Sequence, residues 1–179
     1  MMSYLVKKVT GMKLTNKEQK RLKLKMLLDE SVNEDMRMAA YEDLIDDSEE
    51  IVDDIIKAES ECKNDIMCKI LMDILSYYPG HEEIYLRLIS HLYQADDVGL
   101  YAKLIGRYDD ERAIDVLKGF LAEYEPNYYE FLELRAAIER LGGEIDDMKD
   151  EDFADDPLYQ MTYGELDKPS YEDDDDDED

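Results

Sequence analysis

The sequence predicts an all-α protein in which about seven or eight helices stack into a right-handed α-α superhelix. Apolar residues recur at helical spacing along most of the chain. The clearest case lies between Asp109 and Gly143, where Pro126 and Asn127 separate two amphipathic segments. The expected helix starts also repeat about every 30 residues, which is typical of stacked helical repeats. Each helix pair leaves an apolar stripe uncovered and therefore requires a similar neighbour.

The first section, residues 1–28, is predicted to be a basic N-terminal arm with a capping helix. It holds eight basic residues and one acid, a charge of +7 in a chain whose total is −27, so the other 151 residues carry −34. Thr15 and Glu18 have the spacing of a capping box ahead of a helix over about residues 16–28. A basic arm could bind RNA or a membrane surface. Neutralisation of the acidic body by a terminal cap is the favoured alternative.

Residues 31–143 are predicted to form the helical repeats. Short polar or turn-forming residues ahead of an apolar stripe mark the helix starts. These residues are Ser31, with Glu34 completing a second capping box, then Ser48, Asn64, His81, Asp97, Asp110 and Asn127. The alternate series that begins at Ser48 has steps of 33 and 29 residues, and the series that begins at Asn64 has steps of 33 and 30. Gly142 and Gly143 end the last pair, since glycine tolerates a left-handed cap.

The last helix pairs also resemble a known family. The run YAKLIGRYDDERAIDVLKGFL, residues 101–121, resembles bacterial HEAT-like repeats of the phycobilin-lyase type, in which an acidic turn is followed by an inner helix that opens with "ERAI". The run RAAIERLGG, residues 135–143, resembles the outer helix of the following repeat. The resemblance covers about residues 97–143. It implies a HEAT-like helical-repeat solenoid that binds other proteins, and it carries no catalytic residues.

The helical pattern fails after Gly143. Residues 144–171 are predicted to be an acidic extended strap, in which Leu158, Tyr159, Met161 and Tyr163 dock over the last helix pair because exposed apolar clusters need cover. A short linear motif is the alternative interpretation of this cluster. The chain ends in eight consecutive carboxylates, Glu172 to Asp179. This poly-acidic tail, residues 172–179, is expected to be disordered, since such a run cannot pack.

No set of residues in the sequence predicts catalysis, a cofactor or a metal. His81 and His91 are the only histidines, and neither belongs to a pattern of converging ligands. Cys62 and Cys68, six residues apart on or near one helix, are expected to be reduced and poorly placed to bridge each other. The chain is therefore predicted not to be an enzyme. The start of the sequence has no apolar run long enough for a secretory signal or a membrane span, which favours a cytoplasmic protein without membrane contact.

The charge predicts the class of partner. An acidic body is a poor ligand for nucleic acid, because phosphate binding needs clustered Lys and Arg. A basic protein is the favoured partner, although acidity that merely keeps the protein soluble is an equally plausible interpretation. If the helices that open at Ser48, His81 and Asp110 form the concave layer of a solenoid, their outward polar residues are the candidate binding site. These are Glu50, Asp53, Asp54, Lys57, Glu83, Arg87, His91, Glu111, Asp115 and Lys118.

Two functions fit these expectations. The first is a non-enzymatic, bacterial-type immunity or inhibitor protein that neutralises a basic toxin such as a nuclease. The second is an adaptor or assembly scaffold that bridges two proteins and uses the acidic tail as a hook. A lyase-like activity would rest on the name of the resembling family alone.

Overall fold

The fold comes from a computed structural model, which describes residues 14–94, 97–145 and 150–164. Within those ranges the chain forms nine α-helices and no strand. The helices are α1 (Asn16–Leu28), α2 (Glu34–Asp46), α3 (Val52–Glu61), α4 (Asp65–Leu75), α5 (Glu82–Gln94), α6 (Val98–Tyr108), α7 (Ala113–Glu123), α8 (Tyr128–Arg140) and α9 (Pro157–Tyr163). Two short 3-10 helices span Glu49–Ile51 and Asp150–Phe153. The all-α prediction is confirmed.

Successive helices pack as antiparallel hairpins, and alternate helices add a second set of contacts. The hairpins are α1–α2, α3–α4, α5–α6 and α7–α8, while α2 contacts α4 and α6 packs extensively on α8. Tyrosine hydroxyls join residues about one hairpin apart in sequence. Tyr78 donates to the carbonyl oxygen of Ile45 at 2.8 Å, and Tyr108 donates to the carbonyl oxygen of His81 at 2.7 Å. Each bond satisfies a buried or half-buried carbonyl at the end of a neighbouring element.

Four of the eight predicted helix starts are confirmed by their capping hydrogen bonds. Thr15 with Glu18 and Asn127 with Glu130 form complete capping boxes. Asn64 and Asp97 also cap their helices, α4 and α6, through the side chain. Because a cap satisfies an otherwise free amide at the helix start, it is a strong local signal in the sequence.

The predicted cap at Ser31 is wrong. The side chain of Asn33 accepts the hydrogen bond from the amide of Met36 at 2.8 Å, so α2 begins two residues later than the Ser31 pattern indicated. Ser31 donates its hydroxyl to Asp29 at 2.6 Å and forms a turn after α1 instead. Both residues are common caps, and the turn at Asp29 decides between them.

Two further starts depart from the expected caps. Ser48 precedes the 3-10 turn and makes no side-chain capping bond, so α3 proper begins only at Val52. Asp110 accepts a hydrogen bond from the amide of Arg112 at 3.1 Å in a tight turn before α7, while Arg112 stands at the N-cap position. Asp109, with φ of 62°, takes the left-handed conformation that closes α6.

The predicted extended strap is wrong for the part of residues 144–171 that is described. Residues 157–163 form the ninth helix, whose start is fixed by Asp156, which caps the amide of Leu158 at 2.8 Å, and by Pro157 in the first turn. Only part of the predicted apolar cluster packs on α8, because Met161 is 84% exposed and Leu158 is 38% exposed. Tyr159 contacts the ring of Tyr128 with centroids 5.3 Å apart, and Phe153 stacks on Phe131 at 4.7 Å. The poly-acidic tail, residues 172–179, lies outside the described residues.

The described part of the basic N-terminal section is paired with the acidic body. Helix α1 packs on α2, and its residue Lys20 is buried beside Asp47 at 3.0 Å. Arg21 makes a two-pronged ion pair with Asp54 of α3 at 2.8 and 3.2 Å. No helix in the described part of the chain has the length and apolar character needed to cross a bilayer.

Candidate functional site

The N-terminal ends of α3, α5 and α7 lie side by side along one edge of the protein. Ring atom Nε2 of His81, just before α5, is 3.2 Å from Glu49, just before α3. Arg112, just before α7, reaches Glu82 at the start of α5 at 2.8 Å. These two contacts hold three helix starts together although they are separated by about 30 residues in sequence.

Exposed carboxylates concentrate along this edge. We call them the acidic edge, and they are Glu49, Glu50, Asp53, Glu82, Glu83, Glu111 and Asp115. Carboxylates at helix starts interact favourably with the positive end of the helix dipole, which gives them a structural role. Among the described residues, His81, Arg112 and Arg87 offset part of this charge through contacts with Glu49, Glu82 and Glu83. Bonds from Arg112 also hold the pKa of Asp110 below its usual value of 3.8, so Asp110 stays ionised as well.

Three of the four candidate residues on α3 and the 3-10 turn before it, which holds Glu50, face solvent. Glu50, Asp53 and Lys57 are exposed. Asp54 is half-buried and belongs to the ion pair with Arg21, so it ties α1 to α3. The free charges on this helix are therefore acidic at its start and mixed further along.

Two of the three candidate residues on α5 are turned toward the neighbouring helix α3. Glu83 is exposed, but Arg87 and His91 are half-buried and both contact Glu59 of α3, whose side chain is only 6% exposed. The Nε2 atom of His91 lies 3.1 Å from Glu59, while Arg87 pairs with Glu59 and reaches Glu83 at 2.8 Å. These contacts link α3 to α5, so Arg87 and His91 help to fix the fold.

The His91 ring also packs within its own hairpin, α5–α6. It stacks on Tyr101 of α6 with centroids 4.9 Å apart and planes within 6° of parallel. Burial raises the pKa of Tyr101 to about 12, so its hydroxyl stays protonated at neutral pH. The stack therefore offers a partner little free surface.

Helix α7 presents its whole candidate set. Glu111 precedes the helix, and Asp115 and Lys118 lie on it; all three are exposed. Seven of the ten candidate residues are therefore exposed. Of these seven, Glu83 is bonded to another candidate, Arg87. Most of these exposed candidates belong to the acidic edge.

Glu59 is the residue that sequence reasoning missed. It occupies a position on the apolar stripe of α3, after Val52, Ile55 and Ile56, where a carboxylate is unexpected. A buried charge is normally paired. A carboxylate on this stripe therefore predicts that Glu59 has charged partners. The stripe does not identify them, because they lie 28 and 32 residues further along the chain.

The two cysteines are free, and they lie on either side of the turn that joins α3 to α4. The chain turns between α3 and α4, so Cys62 ends one helix while Cys68 lies in the first turns of the next. Burial and a hydrogen bond with the Cys62 thiol raise the pKa of Cys68 to about 12. Among the described residues, no three His, Cys, Asp or Glu side chains converge as metal ligands.

Comparison with known proteins adds no relative to this picture. No protein-family model matches the chain, and no curated protein or solved structure matches it either.

Proposed function

We propose that the protein is a non-enzymatic, HEAT-like helical-repeat protein that binds a basic protein through its acidic edge. In this proposal the hairpins form a right-handed solenoid, with α3, α5 and α7 as the concave layer. The most specific form of the proposal is an immunity or inhibitor protein that neutralises a basic toxin such as a nuclease.

The observation that carries the proposal is the alignment of exposed carboxylates at three neighbouring helix starts. Carboxylates in a row produce a focused negative potential, which accelerates the encounter with a positive surface. Contacts of 27–34 residues in sequence separation, such as Tyr108 to His81 and Arg107 to Asp73, recur along the chain and support the repeat arrangement.

The competing explanation is that the acids only stabilise their own helices and keep the protein soluble. Acids at helix starts contribute about 0.3–1 kcal/mol each in that role. The two explanations differ in their dependence on position, because solubility depends on total charge and recognition depends on where the charge lies.

The test compares two variants with the same change in net charge. The first, Glu50→Lys/Asp53→Lys/Glu111→Lys, reverses exposed, unpaired acids of the acidic edge. The second, Glu42→Lys/Glu123→Lys/Glu125→Lys, reverses exposed acids elsewhere. Immobilised wild-type chain is used to capture a basic partner from the native host, and association rates are then measured for all three proteins.

The edge variant is expected to slow association by about tenfold or more, and the loss should shrink at high salt. The matched variant should associate almost as fast as wild type. Equal loss in both variants, or no loss in either, would contradict the proposal. Circular dichroism and thermal melting confirm that each variant is folded. For the toxin form, co-expression with the captured protein should restore growth only when the acidic edge is intact.

The adaptor function is distinguished by the run of eight carboxylates at the chain end. Deletion of residues 172–179 should abolish the joining of two proteins if the tail is the hook. The same deletion should leave binding of a single basic partner to the acidic edge largely unchanged.

A further inference from the structure

The turn between α3 and α4 brings the two cysteines of the chain together. Helix α3 ends at Glu61 and α4 begins at Asp65, so only three residues separate these two helices, which pack on each other as a hairpin. Within one continuous helix, residues six apart would be separated by about 9 Å along the axis. Because the chain reverses here, Cys62 lies beside the first turn of α4, which is the turn that leads to Cys68.

The carbonyl oxygen of Asn64 locates both cysteines. It accepts a hydrogen bond from the Cys62 thiol at 3.3 Å and another from the backbone amide of Cys68 at 2.9 Å. Since helical side chains lean toward the N-terminus of their helix, the Cys68 side chain extends over this same turn. The two thiols are also hydrogen-bonded to each other. The sulfur atoms are therefore in contact while both cysteines are free.

The two thiols differ in their surroundings. Cys62 lines an open cavity of about 680 Å³, so a small reagent can reach its sulfur from solvent. Burial and the hydrogen bond with Cys62 raise the pKa of the Cys68 thiol to about 12, and the carboxylates of Glu59 and Asp65 act in the same direction. Because the thiolate is the nucleophile, Cys62 is the thiol that reacts first.

We propose that Cys62 and Cys68 form a redox-active dithiol that small disulfides oxidise to an intramolecular disulfide, with Cys62 as the attacking residue and Cys68 as the resolving residue. Disulfides in cytosolic proteins are usually transient and redox-sensing, which agrees with two thiols that are free but in contact. The dithiol shares no residue with the acidic edge. The proposal therefore goes beyond the proposed partner binding and can be tested independently of it.

The reaction proceeds by two thiol–disulfide exchanges. The Cys62 thiolate attacks one sulfur of the reagent, the S–S bond of the reagent breaks, and one small thiol leaves after taking up the proton that Cys62 released. The Cys68 sulfur then attacks the Cys62 sulfur, the mixed disulfide bond breaks, and the second small thiol leaves with the Cys68 proton. The protein gives up two electrons and two protons, and the reagent is reduced to two thiols. Contact between the sulfur atoms makes the second exchange intramolecular and therefore fast.

The experiment treats the reduced full-length chain with bis(2-hydroxyethyl) disulfide. This reagent is uncharged, so the net charge of −27 on the chain does not repel it. Acid-quenched samples are followed by intact mass and peptide mapping. Cys62→Ser and Cys68→Ser form a matched pair of variants. A further control, Glu61→Cys/Cys62→Ser, moves the first thiol by one residue, to an exposed position about 100° further round α3.

The wild-type chain is expected to lose two hydrogen atoms and to form one disulfide between residues 62 and 68, which excess 2-mercaptoethanol reverses. Cys68→Ser should stop at one mixed disulfide on Cys62, because it lacks the resolving thiol. Cys62→Ser should react at least about tenfold more slowly than Cys68→Ser, since the remaining thiol is kept protonated. The shifted-thiol control should close its disulfide at least about tenfold more slowly than wild type.

Mixed disulfides that accumulate on both cysteines of the wild-type chain overturn the proposal, as does a disulfide between two chains. Equal rates for the two single variants, or rapid closure in the shifted-thiol control, overturn it as well. Circular dichroism checks that each variant is folded. If a variant does not fold, phenylarsine oxide tests the wild-type chain, because this reagent bridges two adjacent thiols and loses its oxygen as water. One arsenic atom per chain with no free thiol left is expected, and chains that keep a free thiol contradict the proposal.

Discussion

The hairpin α1–α2 and the pair α6–α8 are held by different forces. Helix α2 buries only Ala40 and Leu44, whereas eight of the eleven residues of α6 are buried. The first hairpin depends on charge pairs such as Arg21 with Asp54, which salt screens. The second depends on close backbone approach at Gly106 and on packing, which salt does not weaken. The acidic chain thus combines an electrostatically attached end with an apolar, tightly packed end.

The largest effect is expected where α6 meets α8. A Cβ atom on Gly106 would stand 2.9 Å from the Cα atom of Ala137, so Gly106→Ala forces the two helices apart. It should lower the free energy of unfolding by about 1–3 kcal/mol. Gly119→Ala is the matched control, because a Cβ there meets nothing within 4 Å and the helix gains about 0.5–1 kcal/mol. Denaturant unfolding measures both. Similar values for the two variants would show that α6 and α8 are not in close contact.

The next effect tests whether a buried ion pair contributes as much to the free energy of unfolding as close packing does. Glu59→Gln keeps the size of the side chain and removes the charge that Arg87 and His91 contact, so the free energy of unfolding should fall by about 1–3 kcal/mol. Glu61→Gln, on the same helix, disrupts only an exposed pair with Lys57 at 3.9 Å and should cost less than about 0.5 kcal/mol. Denaturant unfolding of the two variants checks the difference. An equal loss of free energy of unfolding in both variants would show that Glu59 stabilises the fold no more than an exposed ion pair does.

A smaller effect is expected at the electrostatically attached end. A double-mutant cycle of Arg21→Met and Asp54→Asn should give a small favourable coupling energy at about 0.05 M salt, since the pair is partly exposed. At about 0.5 M salt the coupling should decrease, because the exposed charges are screened. Chemical denaturation at both salt concentrations measures it. A coupling that does not respond to salt would show that packing, and not charge, attaches α1.

The smallest effect concerns Asp110, in the turn between α6 and α7. The folded-state pKa of Asp110 is lowered, chiefly by the bond from Arg112, so its contribution to stability is present above its unfolded value of 3.8 and is lost as the pH falls through the lower folded value. Melting temperatures of wild type and Asp110→Asn should differ at about pH 6 and converge as the pH falls below about 3.8 toward 2. A constant difference across that range would contradict the role of the carboxylate.

The local chemistry of the sequence was sufficient for the helices and several of their ends. Caps such as Thr15 and Asn64 act within one turn, and the apolar stripes follow from a fixed helical period, so both are visible in the amino-acid order. The sequence pattern did not predict the ninth helix, although Asp156 and Pro157 form a helix start, because its seven residues are too few to show a helical period. The choice of Asn33 over Ser31 was decided by a turn at Asp29 that competes for the serine.

By itself, then, the sequence determined that the chain is helical and where several of its helices begin, and its charge is the basis for proposing a basic partner. Tertiary structure alone decided that Glu59 lies between Arg87 and His91, and that the starts of α3, α5 and α7 share one edge. The physical reason is range. Helix formation depends on neighbours within about four residues, whereas each of these sites joins side chains from separate helices, whose relative positions depend on how all the apolar stripes pack together.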